Sequence, residues 1–140
     1  MANIIIIVGL PGSGKSHLGK AVSQNRTIPF YDDCITEVEI WEQVEACLRN
    51  NNDCVLADPG FCISKYRDQL VEKISDLNKD AILTWIYFDN DPEVCIQNLK
   101  NRSDGRIVSE TFARQFSKWY TIPKNTATLP CYRGTYEVKR

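Results

Sequence analysis

Gly9, Leu10, Pro11, Gly12, Ser13, Gly14, Lys15 and Ser16 stand in the order G-x-x-x-x-G-K-S. Residues of these types at this spacing are suited to holding a chain of phosphates. Glycines let the backbone close around an anion and take positive φ where the turn demands it. Successive N–H groups of such a loop point inward as an anion nest. A helix opening near Lys15 adds the partial positive charge of its N-terminus. Lys15 brings a mobile point charge to the β- and γ-phosphates, and the Ser16 hydroxyl is a hard oxygen ligand for Mg²⁺. Chance places this pattern in roughly one chain of this length in 200. A plain glycine turn gives no reason for Lys and Ser at those two positions. Gly9, Pro11, Gly12, Ser13, Gly14, Lys15, Ser16 and the adjoining His17 are therefore the expected contacts of a nucleoside triphosphate, taken as ATP, with Mg²⁺ on Ser16.

Phosphoryl transfer also needs a group that orients an acceptor hydroxyl and takes its proton, and cations that spread the charge in flight. Asp32 and Asp33 follow the short apolar stretch Ile28 to Tyr31. In a parallel sheet that is the C-terminal edge, beside the phosphate loop, where ligands bind. Asp32 is the expected base and Asp33 an expected acceptor contact; a solvated turn or a helix cap is the plainer alternative. Asp58 closes the apolar run Cys54 to Ala57, a Walker-B-like arrangement able to hold a metal-bound water or the acceptor. A turn-forming Asp before Pro59-Gly60 competes with that reading. Arg102 and Arg106 flank Ser103-Asp104-Gly105, and two guanidinium groups on a short glycine-containing loop suit a lid over the donor. Their surroundings are basic: residues 97–140 carry net +6, against −4 over residues 1–60 and −3 over residues 61–96.

These groups need elements to position them. Asn3 to Val8 is an uninterrupted β-branched run, as expected of a central parallel strand covered on both faces. A helix is predicted from Lys15 to Ser23, then a strand from Ile28 to Tyr31. Val38, Trp41, Val44 and Leu48 recur at three and four in a helix over 37–49. Strand 54–57 is followed by a helix over 64–77 with Ser64 as its cap. Strand 81–88 leads to a helix from Pro92 to about Arg102, and a further helix spans 109 to about 120. Residues 123–133 are turn-rich, and 134–138 are expected as an edge strand. Trp41, Trp85 and Trp119 fall within these elements and read as core. Alternating strands and helices with short connections define a parallel, doubly wound α/β sheet, expected as a single domain over 1–140.

Composition agrees. Hydrophobic residues make up 43% and charged residues 25% of 140, the balance of a packed globule. The longest apolar run, Ile4 to Val8, is far short of the roughly 20 residues a membrane helix needs. Six cysteines show no C-x-x-C spacing. Free thiols in a reducing, cytoplasmic compartment are expected. A guanine-reading N-K-x-D is missing, since Asn78-Lys79-Asp80 lacks the spacer, and Asp58-Pro59-Gly60 is one residue short of a D-x-x-G switch. The length favours a small phosphotransferase over a motor.

The sequence resembles the small P-loop kinases typified by phage polynucleotide kinase, within the wider zeta-toxin and nucleotide-kinase set. The likeness spans roughly residues 3–120. It is carried by Gly9 to Ser16, Phe30-Tyr31-Asp32-Asp33, Tyr87-Phe88-Asp89 with Pro92, and Arg102 to Val108. It implies a P-loop NTPase fold, a three-layer α/β/α sandwich with a mostly parallel sheet and a short helical lid. It implies an ATP- and Mg²⁺-dependent kinase in which Asp32 activates the acceptor hydroxyl, Arg102 and Arg106 bind the donor phosphates, and Asp58 lies by the acceptor. Lys65 and Arg67 stand where that family carries an arginine-bearing helix on the acceptor side. The implied acceptor is a polynucleotide 5′-hydroxyl or a nucleoside or nucleotide. A small-metabolite kinase and a non-catalytic nucleotide-binding module are the rival readings.

Overall fold

A computed structural model describes residues 1–101 and 110–133. Its five strands form one all-parallel sheet in the order β2-β3-β1-β4-β5. β1 spans Asn3–Val8, β2 Phe30–Tyr31, β3 Cys54–Ala57, β4 Ile82–Phe88 and β5 Thr128–Leu129. The helices are α1 Lys15–Arg26, α2 Val38–Arg49, α3 Ser64–Leu77, α4 Pro92–Lys100 and α5 Glu110–Trp119, with a 3-10 turn over Pro59–Cys62.

β1 lies at the centre because its apolar run is two-sided. Ile4 through Val8 are all buried, and so is every residue of β3. β1 pairs with β3 from Ile4 opposite Cys54 to Ile7 opposite Ala57, and with β4 from Asn3 opposite Ile82 to Val8 opposite Tyr87. This register ends β1, β3 and β4 at one level, so the loops after Val8, Ala57 and Phe88 gather at one edge. All six cysteines are buried free thiols, packed as small apolar groups. Among the described residues, no helix is long and apolar enough to cross a membrane.

Several boundaries differ from the sequence reading. α1 runs on to Arg26 and stops at Thr27, whose φ of 57° is left-handed and whose N–H donates to Ser23 O. Ser64 is the first helical residue of α3, not its cap. Ile63 holds the cap position with extended backbone, and no side chain satisfies that end. The segment read as turns contains β5, which pairs with Tyr87 and Phe88. Two residues are too few for a periodic signal; Leu129 O accepting from Asp89 N and the Thr128 hydroxyl donating to Asp89 hold the strand in place. The edge strand expected over 134–138 lies outside the described residues. Trp119 is 46% exposed, edge-on to Phe116, rather than in the core.

Asp58 joins the edge together. Its Oδ2 accepts from Ile35 N at 3.1 Å, Thr36 N at 2.9 Å and Thr36 Oγ1 at 2.9 Å. Its Oδ1 accepts from Gly60 N at 2.8 Å and caps the 3-10 turn. The residue is 1% exposed, so four donors depend on one buried carboxylate. Asp58→Asn places an amide NH₂ among those donors, and hydrogen bonds to a charged group are worth about 1.5–3 kcal/mol. We expect about 2 kcal/mol of lost stability, read as a lower denaturant midpoint at unchanged slope.

Candidate functional site

The loop from Gly9 to Gly14 leaves β1 and enters α1 without a side-chain cap, its N-cap being Gly14 at φ 111°. Gly12 is also left-handed, at φ 87°. A Cβ on Gly12 would collide with the Cys95 carbonyl of α4, and one on Gly14 would stand 2.8 Å from Tyr132 Cβ. Both positions therefore require glycine for conformation and for space.

The loop's carbonyls are engaged by the surrounding protein. Leu10 O accepts from Ser13 N and from Lys15 Nζ, each at 3.0 Å. Gly12 O accepts from Asn98 Nδ2 at 2.9 Å, Ser13 O from Tyr132 N at 2.9 Å and Gly14 O from Leu18 N at 2.9 Å. A trans peptide points its N–H opposite to its C=O. The amides of Gly14 and Lys15 thus face away from Tyr132 and from α1, as an anion nest requires. Asn98 Nδ2 also donates to Tyr132 O at 2.5 Å, and the Tyr132 ring stacks on His17 at 4.6 Å. α4 and the segment after β5 therefore clamp the loop from outside. Sequence reasoning did not find either residue in this role. No motif marks either residue, because their roles depend on contacts across 86 and more than 100 positions of chain.

Lys15 is buried, and burial pulls its ammonium below the usual lysine range; the Asp32 and Asp58 carboxylates oppose that shift. An incoming polyanion would favour the charged form further. The Cys62 thiol near Lys15 is pushed up to about 12 by burial and stays protonated. Ser13 Oγ is fully buried and has no hydrogen-bond partner among the described residues. A buried hydroxyl left this way is costly unless a ligand satisfies it, so the loop fits a phosphate group.

Ser16 Oγ donates to Asp32 Oδ2 at 2.6 Å, and Asp33 N donates to Asp32 Oδ1 at 2.9 Å. The fold thus brings together the two residues that the sequence assigns to metal and base. Asp33 takes φ 55°, and its carbonyl accepts from Thr36 N and Glu37 N, closing the turn into α2. Adjacent hydroxyl and carboxylate oxygens suit Mg²⁺. No group of three or more His, Cys, Asp or Glu capable of holding a metal occurs among the described residues.

Two expected acceptor contacts are committed elsewhere. Both oxygens of Asp58 serve the four donors named above. Arg67 is buried, donating from Nη1 to Phe61 O at 2.6 Å and from Nη2 to Thr121 Oγ1 at 2.9 Å, with its guanidinium 5.5 Å from the Tyr87 ring centre. It braces the 3-10 turn against the chain after α5, because a buried guanidinium must satisfy its donors within the fold. Arg102 and Arg106 lie outside the described residues.

An all-parallel sheet with β1 at its centre, followed by a glycine loop and Lys15 at the head of α1, defines the P-loop NTPase fold. A gluconokinase from Sinorhizobium meliloti 1021 shares this fold at a TM-score of 0.62 and 16% identity, over 91% of this chain and 81% of that one. A shikimate kinase from Bacteroides thetaiotaomicron aligns at a TM-score of 0.45 and 18% identity, over 82% and 74%. No family model matches the sequence. An uncharacterized protein of Acanthamoeba polyphaga mimivirus is 30% identical over 121 residues, 85% of this chain and 86% of that protein, and the chain belongs to its family.

The clamp on the loop is testable. Asn98→Ala removes the hydrogen bonds to Gly12 O and Tyr132 O, worth about 1 kcal/mol each net. We expect ATP affinity to fall roughly tenfold, by calorimetric titration, with the fold intact by circular dichroism.

Proposed function

We propose that this protein is a Mg²⁺-dependent kinase that transfers the γ-phosphoryl group of ATP to an acceptor hydroxyl. The observation that carries this reading is the 2.6 Å hydrogen bond from Ser16 to Asp32, beside the buried Lys15. It sets a carboxylate at the C-terminal end of β2, next to the phosphate loop. That placement suits a group that takes the proton of an acceptor hydroxyl.

In this reading Lys15 and the amides of Gly14 and Lys15 hold the donor phosphates, and Ser13 Oγ gains its missing partner there. Ser16, with Asp32 close by, would hold Mg²⁺. That ion, when bound, would neutralise charge on the donor phosphates. Asp32 Oδ2, which already accepts from one hydroxyl, accepts the proton of the acceptor O–H as its oxygen attacks phosphorus. The bond to the β-phosphate oxygen breaks, and ADP leaves. Positioning and electrostatic stabilisation supply most of the rate in such reactions. Arg102 and Arg106 enter as binders of the donor phosphates through the resemblance to polynucleotide kinases alone. The same resemblance supports a polynucleotide 5′-hydroxyl, nucleoside or nucleotide as acceptor. The likeness to a gluconokinase concerns the fold, and a sugar-acid acceptor is not carried over from it.

Lys15→Ala is expected to lower turnover about a thousandfold and to weaken ATP binding. Asp32→Asn is expected to lower kcat by about 10² to 10⁴ while ATP affinity stays near that of the native chain. Transfer of labelled γ-phosphate to 5′-hydroxyl oligonucleotides and nucleosides measures both; native-level turnover in Asp32→Asn would remove Asp32 as the base.

A further inference from the structure

Two thiols touch where the elements that clamp the phosphate loop meet. Cys95 Sγ donates to Cys131 Sγ at 3.8 Å, and Cys131 Sγ donates to Asp89 O at 3.3 Å. Cys95 lies on α4, one turn before Asn98, and its carbonyl is the atom that a Cβ on Gly12 would strike. Cys131 directly precedes Tyr132, whose N–H donates to Ser13 O. Asn98 Nδ2 joins the same two elements by donating to Gly12 O and to Tyr132 O. The sulfurs are a second contact between those elements, and one with the chemistry to become covalent.

The six buried thiols differ in chemistry. Burial pushes the Cys34, Cys47, Cys54 and Cys62 thiols up. Cys95 is pushed up because its S–H donates to Cys131 and because it is buried. The same hydrogen bond holds Cys131 below the ordinary thiol range, against burial and the Asp91 and Asp89 carboxylates. The thiolate is the nucleophile in thiol oxidation, and a second sulfur already in contact can resolve the oxidised product. Cys131 keeps 5% of its surface open and Cys95 none, so an oxidant from solvent meets Cys131 first. Cys47 and Cys54 are also hydrogen-bonded to each other. Both of those thiols are pushed up, and they meet at the start of β3, the end of the strand opposite the loop.

We propose that Cys95 and Cys131 are a covalent modification site, which a hydroperoxide converts to a disulfide that fastens the clamp on the phosphate loop. The Cys131 thiolate attacks one oxygen of hydrogen peroxide. An S–O bond forms, the O–O bond breaks, and the second oxygen leaves as hydroxide and takes up a proton. The Cys95 sulfur then attacks the sulfenic sulfur, gives up its proton and displaces the hydroxyl as water. Two thiols lose two electrons in all, and one peroxide becomes two waters. A disulfide needs its sulfurs about 2.0 Å apart, so contact at 3.8 Å leaves a short approach. The bond spans 36 positions of chain and constrains the unfolded state. It does covalently what Asn98 does by hydrogen bonding, so the oxidised loop keeps its anion-ready shape without Asn98. A thiol reductant reverses the reaction.

The test compares the full chain reduced and after hydrogen peroxide, with two readouts. In the first, peptide mapping by mass spectrometry after alkylation of the unfolded chain is expected to find a Cys95–Cys131 disulfide, with Cys34, Cys47, Cys54 and Cys62 still alkylated. The oxidised chain is expected to melt at a higher temperature, and dithiothreitol is expected to undo both changes. Neither measurement needs a substitution or a nucleotide. In the second, ATP binding is measured by calorimetry, and this readout alone rests on the loop's being a nucleotide site. Asn98→Ala, weakened roughly tenfold when reduced, is expected to regain at least about threefold on oxidation. The same variant carrying Cys131→Ser as well is expected to regain nothing. If the disulfide forms and raises the melting temperature but no form of the chain binds ATP, the nucleotide reading fails and the modification site stands. The absence of a Cys95–Cys131 disulfide, a Cys47–Cys54 bond in its place, or a lower melting temperature on oxidation overturns the proposal. So does ATP binding by Asn98→Ala that oxidation leaves unchanged.

Discussion

β1 is buried on both faces from Ile4 to Val8, and every part of the candidate site depends on that constraint. Its neighbours are parallel, so the connecting helices have to lie on the two faces of the sheet and cover it from both sides. Parallel neighbours in register end at one edge, and their loops meet there. The phosphate loop leaves β1 at that edge, Asp32 leaves β2 there, and Asp58 leaves β3 there. The site is a consequence of how the core is built.

The loop itself is held by its carbonyls. Lys15, Asn98, Tyr132 and Leu18 each engage one from the protein side, leaving the opposite face of the peptides to a ligand. This is preorganisation: the cost of turning the amides toward an anion is met during folding rather than on binding. The buried Lys15 ammonium and the unpartnered Ser13 hydroxyl are the remaining cost, and both are relieved by the same kind of ligand.

Asp58 illustrates how one carboxylate can join the elements around a site. It ties the turn after β2 to the end of β3, and so sets the direction in which Asp32 leaves its strand. Arg67 plays a similar part between the 3-10 turn and Thr121. Both were reasonable acceptor contacts in the sequence, since an Asp at a strand end and an Arg on the next helix suit that role. Burial and hydrogen bonding within the fold make both part of the framework around the site.

The sequence by itself determined the parallel α/β class, β1 and β3 and the phosphate loop, because those signals are local: an apolar run, a helical period, a spaced glycine motif. It also named Ser16 and Asp32 separately, each from its own neighbours. The tertiary structure alone decided that these two meet, that Asn98 and Tyr132 clamp the loop, that β5 is a two-residue strand within a turn-rich segment, and that Cys95 touches Cys131. Each of these rests on pairing between residues far apart in the chain, where hydrogen-bond geometry and the exclusion of water choose the partners. A one-dimensional pattern records which residues are available to pair; only packing around β1 fixes which of them do.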